Sequence, residues 1–173
     1  MDRPRSAAAS RALAYGLAGL VFLLDRLTKY LIQQQVLAGD SYTVIPGFFS
    51  IVHNENPGAA FSLFSAAQSE WRSFFLVGLT AGAAILIAVL LWHPGGRVGE
   101  SRSSMRLGLS LILGGALGNV FDRIASGTVT DFLDFYLGGH HWPAFNLADS
   151  TITVGAALVI LDLIRSRRPA PKT

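Results

Sequence analysis

The chain has 173 residues, of which 51% are hydrophobic and only 14% charged, against roughly a quarter charged in ordinary soluble domains. That balance excludes an ordinary water-soluble domain and points to lipid. The net charge of +3 and pI near 9.7 do not indicate nucleic acid, because the basic residues cluster beside the ends of apolar segments; with no cysteine, disulfides, thiolate nucleophiles and cysteine metal sites are also excluded.

Four segments, approximately 11–32, 72–92, 105–124 and 145–164, approach the roughly 20 apolar residues that a helix needs to cross the hydrocarbon core. The first follows Arg3, Arg5 and Arg11, as a secretory signal would. However, Leu24 leads into Asp25, Arg26 and Lys29 instead of small residues fit for cleavage, so an uncleaved helix is expected. Asp25 and Lys29 stand four apart with the acid first, the order that favours an ion pair on one helical face and a scaffold role. Arg26 and Arg72 read as snorkelling to the headgroups.

The connection at 33–71 has a strand-like stretch from Tyr42 to His53, then Asn54-Glu55-Asn56-Pro57-Gly58-Ala59-Ala60-Phe61. Asn-Pro-Gly is a turn signal, and the small residues after it permit close approach of a ligand or of neighbouring helices. Asn56 reads either as a ligand-facing amide or as a turn former, and the single His53 reads as structural. The second segment, Phe74 to Trp92, has no charge. The third ends in Gly114-Gly115-Ala116-Leu117-Gly118-Asn119-Val120-Phe121-Asp122-Arg123, whose small residues suit tight helix packing. Asn119 and Arg123 project together; the Arg123 guanidinium suits a peptide carbonyl or phosphate, or an ion pair with Asp122, Asp25 or another buried acid.

After it come Asp131, with Asp134 as a rival three residues on, and then Asn146 and Asp149, which share a face with Thr153. His140-His141 with Asp131 and Asp134 makes a poor metal site, since adjacent histidines do not readily converge on one ion, so no metal is expected. Trp142 beside them suggests an interfacial role.

Arg3, Arg5 and Arg11 precede the first segment, Arg97, Arg102 and Arg106 lie in or beside the 2–3 connection, and Arg165, Arg167, Arg168 and Lys172 follow the fourth. The connections at 33–71 and 125–144 contain no Lys or Arg. The positive-inside rule therefore predicts an all-α membrane protein of four transmembrane helices with both termini cytoplasmic and a small extracytoplasmic β-rich loop region between helices 1 and 2. The chain reads as a single membrane-embedded domain, 1–173, with polar cytoplasmic tails at 1–10 and 166–173. In this topology Asp25, Lys29, Asn119, Asp122, Arg123, Asn146 and Asp149 all fall at the outer ends of their helices. Ionisable groups at such depth cost about 2.5–3.5 kcal/mol each at the bilayer centre and usually pair or line a site. One shared polar cavity near the outer surface is expected.

Without cysteine, and with no histidine base for a serine at helix depth, a carboxylate pair is the most economical hydrolytic apparatus. One carboxyl holds a proton while the other takes one from water. The rival readings are a small transporter, which would spread polar residues through the full depth, and another class of intramembrane aspartic protease, whose Gly-x-Gly-Asp motif is missing here. Residue types alone do not bring Asp131 and Asp149 together.

Asp25-Arg26-Leu27-Thr28-Lys29, Asn56-Pro57-Gly58-Ala59-Ala60-Phe61-Ser62, Gly118-Asn119-Val120-Phe121-Asp122-Arg123, Gly127-Thr128-Val129-Thr130-Asp131-Phe132 and Phe145-Asn146-Leu147-Ala148-Asp149 occur in an order that covers nearly the whole chain. In this the chain resembles the bacterial lipoprotein (type II) signal peptidases. The resemblance implies an aspartic endopeptidase of the bacterial inner membrane, multi-pass, with its active site at the extracytoplasmic face. It would cleave prolipoproteins on the amino side of a diacylglyceryl-modified cysteine. It implies Asp131 and Asp149 as catalytic residues, choosing Asp131 over Asp134, and Asn56, Gly58, Asn119, Arg123 and Asn146 as contacts to substrate or dyad. Asn56 is preferred to Asn54 because it stands two before Gly58. Asp25, Lys29 and Asp122 are implied as structural polar residues. The expected partners are lipidated prolipoproteins and membrane lipids, with no cofactor, nucleic acid or obligate protein partner.

Overall fold

The computed structural model describes residues 3–58, 69–92 and 103–166. The elements run α1 (Arg3–Gln35), β1 (Ser41–Ile45), β2 (Phe49–Asn56), α2 (Ser69–Trp92), α3 (Ser103–Ala125), β3 (Val129–Leu137), β4 (His140–His141) and α4 (Leu147–Ser166). All four helices are long and apolar enough to cross a membrane. Large apolar side chains such as Leu20, Phe74, Leu79, Ile85, Val154 and Ile160 are exposed on their outer faces, which in a water-soluble protein would be an aggregation hazard and here is a surface for lipid. The core between the helices mixes small residues, Ala14, Ala18, Ala84 and Ala116, with Leu91, Leu109 and Leu113.

α3 is the central helix and packs against the other three. Its glycines decide how close they come. A Cβ on Gly114 would lie 2.6 Å from the Ala18 carbonyl oxygen of α1, and one on Gly115 would lie 2.5 Å from the Ala148 carbonyl oxygen of α4. Gly108 and Gly155 face each other across the α3–α4 crossing, each with its missing Cβ within 2.6 Å of the other's carbonyl oxygen. Because backbone stands on both sides, neither helix can yield locally. Gly155→Ala should therefore separate α3 from α4 and destabilise the protein by about 1–3 kcal/mol, read as a lowered Tm in detergent. Alanine at Gly82, which has nothing within 4 Å, should leave Tm unchanged or raised.

α1 is longer than the apolar pattern predicts, because the alanine-rich stretch at residues 7–9 is a strong helix former and carries the helix back to Arg3. Residues 167–173 of the expected tail lie outside the described residues. The larger departure is in the sheet. A four-stranded antiparallel sheet in the order β1-β2-β3-β4 draws on both long connections, not only on the one between helices 1 and 2. The β-branched and aromatic run Val129-Thr130-Asp131-Phe132-Leu133-Asp134-Phe135-Tyr136 carries the signal for β3. β1 and β2 form a hairpin turned at Gly47, whose φ of +78° suits glycine. β2 pairs with β3 in a register that sets Asn54 opposite Asp131 and Asn56 opposite Val129, shifted by an irregularity between Ile51 and Asn54. The sheet sits where α1 and α3 end and α4 begins.

Candidate active site

α4 starts where it does because of its own cap. Asn146 accepts the Asp149 N–H on Oδ1 at 2.9 Å, and its own N–H faces Asp149 Oδ2 at 3.4 Å. This is the reciprocal arrangement of a capping box, with aspartate in the third helical position. The same bond that begins the helix thus fixes the Asp149 carboxylate at the rim of the bundle.

Asp131 comes to it from β3. Asn56 Nδ2 donates to Asp131 Oδ2 at 2.8 Å, and Asn146 Nδ2 donates to Oδ1 at 2.7 Å. Asn119 Nδ2 donates to Asp149 Oδ1 at 2.8 Å. Each amide is held in that sense by a partner that can only donate. The oxygen of Asn56 takes the Gly58 N–H at 2.8 Å, that of Asn146 takes the Asp149 N–H, and that of Asn119 takes the Lys29 ammonium at 2.9 Å. With the oxygen so committed, the NH2 end must face the carboxylate. Three asparagines from β2, α3 and the start of α4 therefore converge their donors on two aspartates. Gly58, at φ +94°, makes the turn that returns its N–H to Asn56, and a side chain there would strike Leu76.

Asp131 is almost fully buried, at 1% exposure. Burial pushes its carboxyl up to about 6, and the like charge of Asp149 adds to this, while donation from Asn56 and Asn146 acts in the other direction. One carboxyl of the pair is thus biased to keep a proton close to neutral pH. Asp134 has other company: His141 Nδ1 lies 2.9 Å from Asp134 Oδ2, and the His141 ring stacks on Tyr136. Asn54 is exposed and makes no side-chain contact to either aspartate among the described residues, so Asn56 is the amide that reaches the pair.

Behind the aspartates lies the expected Asp25–Lys29 ion pair, both residues at 0% exposure and 2.8 Å apart. Asp25 Oδ1 also caps α4 from a different helix, accepting the Ala148 N–H at 3.0 Å, and glycine at 118 leaves the space that its carboxylate fills. Lys29 further pairs with Asp122 Oδ2 at 2.7 Å. Arg26 does not snorkel as its position suggested. It pairs with Asp122 Oδ1 and lies over the Phe121 ring, because the acid one helix away offers more than solvent at that depth. With Asp122 so occupied, Arg123 makes no ion pair among the described residues; it reaches the Asn119 carbonyl at 3.4 Å and lies within electrostatic range of both Asp149 and Asp131.

Sequence reasoning missed a second polar cluster. Glu55 accepts from Thr128 at 2.5 Å, from Thr130 at 2.9 Å and faces His53 Nε2 at 2.9 Å. Burial acts to raise its carboxyl, but these hydrogen bonds prevail and hold it below the ordinary carboxylate range. Gln33, in the last turn of α1, donates to Thr130 at 2.7 Å, and His53 Nδ1 meets the Val36 carbonyl at 2.7 Å. The cluster ties α1, β2 and β3 together beside Asn56 and Asp131. Thr128 and Thr130 at i and i+2, with Glu55 between two asparagines, were its only traces in the sequence.

A family model described as signal peptidase (SPase) II matches residues 17–165. The lipoprotein signal peptidase of Solibacter usitatus is 54% identical over 157 residues, covering 91% of this chain and 93% of that one. That of Paraburkholderia phymatum is 44% identical over 172 residues, covering 98% and 99%. A bacterial membrane enzyme solved by the in meso method at 2.3 Å resolution superposes with a TM-score of 0.77 at 31% identity, covering 94% of both chains. With the family model matching residues 17–165 and relatives up to 54% identical over most of its length, the chain belongs to the signal peptidase II family.

Proposed function

We propose that this member of the signal peptidase II family removes signal peptides from prolipoproteins as an aspartic endopeptidase, with Asp131 and Asp149 as its catalytic pair. The observation that carries the reading is the convergence of three oriented asparagine amides on two carboxylates that form no direct ion pair among the described residues. In the resting pair a single proton is shared, as the raised Asp131 favours. The ionised carboxylate takes a proton from water, the hydroxide equivalent adds to the scissile carbonyl, and the protonated carboxyl delivers its proton to the departing amine. Arg123 is the candidate to hold a substrate carbonyl beside the pair. Asn56, Gly58, Asn119 and Asn146 orient the carboxylates.

The termini are read as cytoplasmic and the sheet as extracytoplasmic in the bacterial inner membrane, from the placement of Arg and Lys. The whole chain then acts as one membrane-embedded domain whose pair lies just below the outer surface. A cysteine bearing diacylglyceryl keeps its acyl chains in the outer leaflet and delivers the bond on its amino side to that depth, so anchoring raises the effective concentration of the bond. Two precursor peptides of the same sequence, with and without diacylglyceryl, should differ in kcat/KM by at least about 100-fold in bilayers. Equal cleavage of both would sink the lipidated-substrate reading and leave a general intramembrane aspartic protease. The transporter reading is not favoured: the buried Asp162, toward the other end of α4, is held by Ser104 at 2.5 Å and continues into no polar path among the described residues.

A further inference from the structure

Lys29 is fully buried; it donates to Asp25 Oδ2, forms an ion pair with Asp122 Oδ2 and donates to Asn119 Oδ1. The first two contacts are the scaffold expected of an intramembrane ion pair. The third has a different consequence. An ammonium has no acceptor, so the Asn119 amide can meet it only through oxygen, which leaves Nδ2 to donate to Asp149 Oδ1 at 2.8 Å. The same oxygen also faces Asn146 Nδ2 at 3.3 Å, the group that donates to Asp131. One buried cation is therefore connected through two amides to both carboxylates.

We propose that Lys29 is a positioning residue for the peptidase, its ammonium fixing the Asn119 amide so that Nδ2 is always presented to Asp149. This rests on Asp131 and Asp149 being the catalytic pair. Without the ammonium, only the longer contact from Asn146 Nδ2 at 3.3 Å holds the Asn119 oxygen, and the amide can turn to set that oxygen against the Asp149 carboxylate, which opposes ionisation of the pair. The charged groups around Lys29 are Asp25 and Arg26 from α1, Asp122 and Arg123 from α3, Asp131 from β3 and Asp149 from α4. Among them Asp25, Arg26, Lys29 and Asp122 form a neutral set of four. Removing Lys29 alone would leave that set negative and confuse positioning with charge.

The test uses two charge-matched double variants of the full chain, Asp25→Asn/Lys29→Met and Asp25→Asn/Lys29→Gln. Both keep an oxygen at position 25 for the Ala148 N–H, both carry the same amide at that position and both leave the set neutral, so they differ only in whether position 29 retains a donor for Asn119. The methionine variant should lose about 10–100-fold in kcat, the range typical when a group that orients a catalytic ligand is removed. Its KM should stay within about threefold of wild type. The acid limb of its kcat/KM–pH profile, which reports ionisation of the pair, should move up by about one pH unit. The glutamine variant should recover most of the kcat and return the limb toward its wild-type position. Equal activity of the two variants, a methionine variant within about threefold of wild type in kcat, or failure of both to fold as judged by circular dichroism and Tm, would each overturn the proposal and leave Lys29 a scaffold residue. Failure of the dyad itself is read separately, from retained activity in Asp149→Asn with Lys29 intact.

Discussion

Asp131→Asn and Asp149→Asn should each lower kcat/KM toward a diacylglyceryl prolipoprotein by at least about 10³-fold, because each removes one half of a proton exchange that needs two unlike carboxyls. Both changes leave the principal cap of α4, the residue 149 N–H to the Asn146 oxygen, in place. In Asp149→Asn the Asn146 oxygen still accepts the residue 149 N–H, so α4 keeps its cap, and an amide oxygen can still receive Asn119. In Asp131→Asn, β3 keeps its pairing with β2 and the Glu55 cluster keeps Thr128 and Thr130. The loss should therefore appear in variants that still fold, as shown by a cooperative melting transition and a wild-type circular dichroism spectrum. The double variant should be no worse than either single one, since a pair acting as a unit fails once either member is gone. Retention of more than about a tenth of wild-type activity by either single variant in bilayers would remove that residue from the chemistry. Additive losses would mean that the two carboxylates act in separate steps.

Much of this site was legible in the sequence because the membrane constrains it. A charged side chain at helix depth must have a partner, so Asp25, Lys29, Asp122 and Arg123 announced a shared polar region before any coordinate, and the acid-first spacing of Asp25 and Lys29 marked their pair. Arg and Lys counts placed those groups at one common level. Contacts between segments far apart in sequence were not legible. Nothing in Asp25 indicates that it caps a helix beginning at Leu147, because that bond depends on glycine at 118 letting α1 approach α3. The Asp122–Arg26 pair was misread for the same reason: a snorkelling rule applied to one helix does not see the acid on its neighbour. The sheet was half seen, since β3 was read as a carrier of Asp131 and not as a strand. Glu55 and Gln33 gave no warning because a polar residue in a connection is ordinary until its partners are known.

The raised Asp131 has a consequence for stability that is independent of catalysis. Its folded value of about 6 lies above its ordinary value of 3.8. A carboxyl raised on folding favours the folded state while protonated. Its contribution is full below pH 4 and is lost as pH rises through 6, amounting to about 3 kcal/mol at pH 8. Asp131→Asn is neutral at every pH and does not undergo this loss. The variant has an opposing defect, because Asn56 and Asn146 both donate to position 131 and an amide offers only one oxygen where the carboxylate offered two; an unmatched donor costs about 1–3 kcal/mol. That defect does not depend on pH. The stability of Asp131→Asn relative to wild type should accordingly rise by about 2.5 kcal/mol between pH 4 and pH 8, whatever its starting value, as followed by thermal or denaturant unfolding in detergent micelles at both pH values. A flat difference for Asp131→Asn would mean that Asp131 ionises as it does in water. The site would then lack the buried, proton-holding carboxyl on which a two-aspartate mechanism depends.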